Sequence, residues 1–595
     1  MNSKESLFRF LMVVTLFCAV VSPVLANEYA VKVQRDVAVK MRDGVILRGD
    51  IFRPDAKGKF PVLLQRTPYR KSPWGYDIDF AQLAASRGYV VFYQDVRGRY
   101  TSDGEWAPFV HESEDGYDTI EWIAEQPYSD GRVGMFGGSY VGATQVLAAI
   151  AHPPHLAGIC PVVTASNYHD GWTYQGGAFE QWFDESWTTG LAEDTAERKL
   201  QALTNSPEDV NALPLTSYPL FNLNSPGELN TSSTNIAPYF LDWLAHPTYD
   251  EFWKRISIEE HYPDIRVPAL HVAAWYDLFL GGTLRNYLGI KAAGGTEEAR
   301  KGQHLLVVIG GHAGVGRKIG DFDFGPEAEQ VDENKITLDW YDFLFKGAHN
   351  EYAGKRVKIF VMGINRWREE DDWPLARAKS TKYFLHSEGA ANSASGNGSL
   401  SSSAPASEPA DKFTYDPGKP VPTIGGPLCC DSTHLAPGPR DQRSVESRDD
   451  VLVYSTAPLT HDLEVTGPIH LEFFASSSAV DTDFTAKLVD VAPDGTAVNL
   501  TEGILRAKYR DSQEKAVPLT PGKVYALSID LWATSNVFRV GHRVRLEVSS
   551  SNFPRFDRNL NTGESAANSS KWVKATNTIL HDSTHPSALV LPVVP

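Results

Sequence analysis

One stretch constrains the fold more than any other. Arg132-Val133-Gly134-Met135-Phe136 runs without a break into Gly137-Gly138-Ser139-Tyr140-Val141-Gly142, and a helical pattern continues to Ile150. The first part is a short apolar run of the kind that makes a buried strand. A strand, two glycines, a serine and a helix predict a sharp strand-to-helix turn with Ser139 at its apex. Glycine suits such a turn because it tolerates strained backbone angles and lets chain segments approach closely. The helix N-terminus beyond it favours negative charge at that point. The pattern departs from the strict G-x-S-x-G form: Val141 stands where the last glycine is expected, and Gly142 follows one residue later. Gly-Gly-Ser alone also serves as a plain turn; the flanking strand and helix favour the strained elbow.

The surrounding sequence fits an α/β frame. Residues 31–53 alternate around Asp43-Gly44, which predicts an antiparallel hairpin. Strands are then expected at Phe60–Leu64, Tyr89–Tyr93, Arg132–Phe136, Ala269–Ala274 and His304–Ile309, with helices at Phe80–Arg87, Tyr117–Glu125, Ser139–Ile150 and Thr337–Phe345. Alternating strands and helices point to a mostly parallel sheet covered on both faces. Residues 167–262 break the rhythm and read as a helical insertion, or cap. From 352 onward the character changes: 388–409 is rich in Ser, Ala, Asn and Gly and reads as a flexible surface loop, and short alternating segments from 451 predict an all-β sandwich. The expected domains are therefore 27–166 and 263–351 for the α/β part, 167–262 for the cap and 352–595 for the β-sandwich.

A serine hydroxyl is a poor nucleophile at neutral pH. It needs a base to take its proton and a carboxylate to orient that base. In α/β-hydrolases these partners follow the serine in the order acid, then His, each just after a strand. Asp277 follows the 269–274 strand in Trp275-Tyr276-Asp277, and His312 follows the 304–309 strand in Gly310-Gly311-His312-Ala313-Gly314. Either residue alone would be read as a cap or a packing group; order and strand-end placement together favour a triad of Ser139, Asp277 and His312. The charge that develops on an attacked carbonyl needs donors. One is expected from the Tyr140 N–H, and another from the Arg66-Thr67-Pro68-Tyr69 loop, through a backbone N–H or the Tyr69 hydroxyl.

These residues carry a resemblance. Thr67-Pro68-Tyr69, Gln94-Asp95-Val96-Arg97-Gly98, the Gly-x-Ser-Tyr-x-Gly turn, Trp275-Tyr276-Asp277 and the His312 loop are similar to the bacterial cocaine esterase family, whose wider group includes X-Pro dipeptidyl peptidases and α-amino acid ester hydrolases. The likeness continues through Phe360–Arg368, Asp481–Leu488 and Ser549–Pro554, so it spans nearly the whole chain after the first residues. It implies an α/β-hydrolase domain, a helical cap and a C-terminal jelly roll. It implies the triad named above and an oxyanion hole from the Tyr69 hydroxyl and the Tyr140 N–H. It places acyl-pocket aromatics at Trp172, Trp187 and Phe279. Cys429 and Cys430 stand where the family carries apolar pocket residues. Amino acid ester hydrolases place acids just after the triad Asp; here Leu278, Phe279 and Leu280 follow, so a neutral, apolar or aromatic acyl group is expected.

Composition narrows the partners. A net charge of -18 disfavours nucleic acid and anionic membranes. Lys4 and Arg9, the apolar run Leu11–Val21 and Val24-Leu25-Ala26 read as a secretory signal over 1–26, with an uncleaved membrane anchor as the alternative. The run is short for a span, so a secreted or periplasmic enzyme, off the membrane once the signal is cleaved, is expected. Cys18 lies in that signal, leaving Cys160, Cys429 and Cys430; the adjacent pair is equally readable as a vicinal disulfide or as two thiols. With no H-E-x-x-H, Cys-x-x-Cys or phosphate-binding glycine loop, neither metal nor organic cofactor is expected. The partner is a small-molecule ester or amide, with a homo-oligomer left open. Two rival readings stand beside the esterase: a dipeptidyl peptidase or amide acylase, which needs an anionic site for a substrate amine, and a non-catalytic binding protein that uses the sandwich. Glu180, Asp184 and Glu185 in the cap are acids for such a site, or solvated surface groups.

Overall fold

The computed structural model describes residues 29–71, 76–202, 236–312 and 314–595. The expected signal over 1–26 and the 203–235 part of the expected cap lie outside the described residues.

An 11-stranded sheet frames the first part of the molecule. Its main strand order is Val31–Lys40, Ile46–Pro54, Val90–Asp95, Phe60–Thr67, Ser129–Gly138, Leu156–Val162, Ala269–Tyr276, Gln303–Gly311, Val357–Val361, Arg366–Glu370. The inner pairs run parallel. The pairs toward both edges run antiparallel. Neighbouring residues on each inner strand enter opposite cores: Val62, Leu64, Val90 and Phe92 face one apolar cluster, and Leu63, Val91 and Tyr93 face the other. A strand covered on both faces reads as an unbroken apolar run, which is why Val90–Tyr93 shows no alternation. Fully burying a side chain such as Phe92 contributes about 1.5–3 kcal/mol. Helices Glu112–Ala124 and Tyr140–Ile150 cover one face, with Ile120 and Ile123 fully buried as their spacing predicts. Helices Tyr76–Ser86 and Glu333–Lys346 cover the other.

The 167–262 excursion holds helices Gln181–Ala202, Pro238–Ala245 and Glu251–Lys254 and a short hairpin of Tyr174–Gln175 with Ala178–Phe179. Past residue 352 the first sheet continues: Val357, Ile359, Phe360 and Val361 are fully buried, and their strand adds in parallel to Gln303–Gly311. A second 11-stranded sheet then carries the rest of the chain, from the strand Lys379–His386 onward. The segment 388–409 differs from the flexible loop its composition suggests. Ser399–Ser401 pairs with Lys379–His386, and Ala391 and Leu400 are buried, so small side chains here serve close packing.

The two sheets share one apolar core. Trp275, Tyr276, Leu305 and Val307 of the first pack in the same cluster as Leu471, Phe473, Leu531 and Trp532 of the second. Between cap and β-domain lies a buried charged cluster. The Arg555 guanidinium donates to Glu502, to Gln175 Oε1 at 2.9 Å and to Glu180 Oε1 at 3.4 Å. One guanidinium thus serves two carboxylates, and burial pushes the Glu180 carboxyl up to about 7 against the pull of Arg555.

The turn at Ser139 depends on two close approaches. Gly137 has φ +118°, and a Cβ there would lie 2.5 Å from Val141 Cγ1. A Cβ on Gly142 would lie 2.9 Å from Thr164 Cβ. The helix therefore needs its glycine at 142, where it meets the end of the next strand, and tolerates valine at 141.

Two outcomes follow. Gly137→Ala adds both the clash and a left-handed alanine, and is expected to destabilise by at least about 2 kcal/mol in denaturant titration, with loss of any activity that depends on Ser139. Glu180 holds its proton more tightly folded than unfolded, so its contribution to stability is fully present below an unfolded value of about 4.3 and is lost as pH rises toward 7. Glu180→Gln lacks that loss. Its melting temperature relative to wild type should therefore rise from pH 5 to pH 8; a difference independent of pH would contradict the assignment.

Candidate active site

Ser139 sits between the strand Ser129–Gly138 and the helix Tyr140–Ile150 with φ 61° and ψ -128°. A non-glycine residue in that region stores about 1–3 kcal/mol of strain. Its backbone is held on both sides: Ser139 N donates to Val162 O at 2.9 Å, and Thr164 Oγ1 donates to Ser139 O at 2.9 Å. The neighbouring strand end thus clamps the turn.

Asp277 follows the strand Ala269–Tyr276, and His312 follows Gln303–Gly311. These strands lie side by side and parallel, so both residues emerge at the carboxyl edge of the sheet, as Ser139 does. His312 Nδ1 lies 2.8 Å from Asp277 Oδ2, and His312 Nε2 lies 2.8 Å from Ser139 Oγ. A carboxylate only accepts, so Nδ1 carries the ring proton and Nε2 accepts from the serine hydroxyl. The Asp277 side chain is fully buried, and its other oxygen accepts from Phe279 N at 2.6 Å. Burying a carboxylate is costly unless its oxygens find such partners.

The Tyr140 N–H belongs to the first turn of its helix, where amides have no intrahelical acceptor. Tyr69 stands opposite. The residue is 38% exposed overall, yet its hydroxyl sits in a dense setting. Burial pushes the phenol up, offset by contacts with the Trp187 indole, the Ser139 side chain, the Arg99 charge and the Tyr140 backbone. The structure therefore brings Tyr69, Ser139 and Tyr140 together at one point.

The sequence offers no pattern that singles out the groups behind these donors. The buried Tyr140 hydroxyl donates to Glu112 Oε1 at 2.8 Å, and Arg66 Nη1 donates to Glu112 Oε2 at 2.8 Å. Arg66 is the last residue but one of the strand Phe60–Thr67 that leads to Tyr69, so one buried carboxylate ties both sides of the site. Arg99 Nε donates to Pro68 O at 3.0 Å, and Asp95 Oδ1 accepts from Lys71 N at 2.6 Å. The Gln94–Gly98 motif and the adjoining Arg99 thus shape the Tyr69 loop. That motif was the available signal, but its partners are set by contacts distant in sequence.

The aromatic positions gather beside the triad. Trp172 stacks on Phe279 at 4.5 Å, Phe279 meets the His312 ring edge-on at 5.1 Å, and Trp187 meets Trp172 edge-on at 5.5 Å. Cys429 and Cys430 are joined by a disulfide. Cys429 is buried in the cluster that holds Trp172, Trp187 and Phe279, whose other members all lie between residues 37 and 299; Cys430 is exposed. The loop carrying them is pinned by a Gly426–Gly438 bridge and docks on the segment after His312, where Asp321 N donates to Pro439 O at 3.1 Å. Two cap acids are not solvated: Glu180 and Asp184 are buried, and only Glu185 is exposed.

Residues 43–314 match the X-Pro dipeptidyl-peptidase (S15 family), and residues 352–590 match the X-Pro dipeptidyl-peptidase C-terminal non-catalytic domain. A cocaine esterase from Rhodococcus sp. (strain MB1 Bresler) is 40% identical over 591 residues, covering 94% of this chain and 98% of that protein. Among solved structures, an aminopeptidase from the marine sediment archaeon Thaumarchaeota archaeon has a TM-score of 0.78 at 26% identity, covering 96% of this chain and 97% of that one. An α-amino acid ester hydrolase shares the fold, with a TM-score of 0.77 at 24% identity over 99% of this chain and 100% of that one. With both domains matched in order and such identity along almost its full length, the chain belongs to the cocaine esterase-like family of α/β-hydrolases, related to the X-Pro dipeptidyl peptidases.

Proposed function

We propose that this protein hydrolyses carboxylic esters through a covalent acyl-enzyme on Ser139. The observation that carries the reading is the His312 ring, which bridges Ser139 Oγ and Asp277 Oδ2 at 2.8 Å on each side. His312 Nε2 takes the serine proton as Oγ attacks the ester carbonyl. The Tyr140 N–H and the Tyr69 hydroxyl receive the oxyanion. The alcohol leaves with the proton from His312, and water then releases the acid by the reverse sequence. Asp277 holds the imidazole tautomer and balances its positive charge. The Trp172–Phe279 stack, Leu278 and Cys429 give the acyl side an apolar wall, which supports a neutral, apolar or aromatic acyl group. The amino-terminal pattern supports export of the mature enzyme.

A peptidase reading has one observation in its favour. Asp184 is fully buried and, among the described residues, neither carboxyl oxygen has a hydrogen-bond partner, as a site awaiting an ammonium would be. Burial, with the Glu180 carboxyl nearby, pushes that carboxyl well above the ordinary range, which disfavours the charged form that an ammonium would pair with. The ester reading is therefore preferred.

Ser139→Ala should lower kcat on a short-chain p-nitrophenyl ester by about 10³-fold or more, and equal rates would remove Ser139 from the mechanism. A benzoyl ester should exceed a succinyl ester in kcat/KM by at least about 100-fold, because the apolar wall offers a carboxylate no partner. Faster cleavage of a Pro-containing dipeptide anilide than of either ester would favour the peptidase.

A further inference from the structure

Trp187 sits on the cap helix Gln181–Ala202, and its Nε1 lies 3.0 Å from the Tyr69 hydroxyl oxygen. An indole N–H can only donate, so Trp187 occupies a lone pair of that oxygen and leaves the phenol's one proton unused. Among the described residues, the other groups that hydrogen-bond to the phenol are the Ser139 side chain and the Tyr140 backbone amide. The amide is also a donor only. The acceptor left for the Tyr69 proton is therefore oxygen at the Ser139 side, where the oxyanion would form.

We infer that Trp187 is a positioning residue: its indole N–H fixes the rotor of the Tyr69 hydroxyl so that the proton points at the developing oxyanion. This rests on the ester-hydrolase reading of Ser139 and deepens it. It gives Trp187 a task beyond that of an apolar pocket wall. The indole is held for that task. It stacks on Tyr140 at 6.1 Å and on Trp243 at 5.9 Å, and it is nearly fully buried. The spacing between cap helix and Tyr69 loop is set separately by Arg99, which donates to Leu191 O at 3.0 Å on the helix and to Pro68 O at 3.0 Å on the loop. Arg99 sets the distance, and the Trp187 N–H sets the direction of the proton. A donor aimed before the reaction need not reorganise when charge develops, which is how such groups lower barriers.

The test is a double-mutant cycle on the full chain. Trp187 is replaced by β-(3-benzothienyl)alanine, which keeps the ring shape and puts sulfur in place of the N–H; Trp187→Phe is the second variant. Each is combined with Tyr69→Phe, and kcat and KM are read on a p-nitrophenyl ester. The benzothienyl variant should lose about 10-fold in kcat, the worth of one net hydrogen bond, with KM kept within about twofold. Tyr69→Phe alone should lose about 10²–10³-fold, and in that background removing the Trp187 N–H should change kcat by less than about twofold. Equal losses with and without the Tyr69 hydroxyl, or no loss in the benzothienyl variant, would overturn the inference, since a packing role acts regardless of Tyr69. Ser139→Ala assayed alongside separates the two failures. Activity that survives there overturns the serine reading and this inference with it. Activity lost there while the cycle shows no coupling overturns this inference alone.

Discussion

The backbone of Ser139 is the constraint from which the rest of the site hangs. A left-handed serine between a strand and a helix is unstable by itself. It persists because the hydrogen bonds from Ser139 N to Val162 O and from Thr164 Oγ1 to Ser139 O hold it from the adjacent strand end. Gly137 and Gly142 let the segments come that close. Once the turn is set, the serine side chain stands clear of the sheet, and the first amide of the helix lies beside it. The strained residue and the free-facing helix amide beside it, the proposed oxyanion donor, are thus two results of a single backbone path.

The other parts of the molecule close over this turn. The parallel sheet delivers Asp277 and His312 to the same edge, where the carboxyl ends of neighbouring strands leave a crevice. The cap brings Trp172 and Trp187, and the β-domain inserts Cys429 into the same apolar cluster. A core shared between the two sheets and the Arg555 cluster at the cap make the β-domain an integral wall rather than a tethered appendage. Removing water around the reacting atoms strengthens each charge–dipole contact there.

Behind the reacting groups lies a buried polar framework. Glu112 joins the Tyr140 hydroxyl to Arg66, and Arg99 joins the Tyr69 loop to the cap helix. Such groups are costly to bury without partners, and the hydrogen bonds they make here tie the elements of the site to one another. The elements that carry Tyr69, Ser139 and Trp187 are each fixed from behind in this way.

Local pattern and chain order were enough to determine the alternating α/β frame, the elbow at Ser139 and the candidates Asp277 and His312. The reason is physical: strand and helix periodicities are short-range, and a parallel sheet sends every strand end to one edge, so residues just after strands meet without further instruction. Similarity to a family singled out the Tyr69 hydroxyl within its loop and added the positions of Trp172, Trp187 and Phe279. Only the tertiary structure decided that the first sheet runs on through Val357–Glu370, that Gly142 is required by Thr164, that Glu180 and Asp184 are buried, that Cys429 bonds to Cys430 and enters the cap cluster, and that Trp187 donates to Tyr69. Each of these depends on which surfaces meet after folding. The Trp187–Tyr69 contact spans 118 positions of chain, and no local periodicity encodes a contact at that separation.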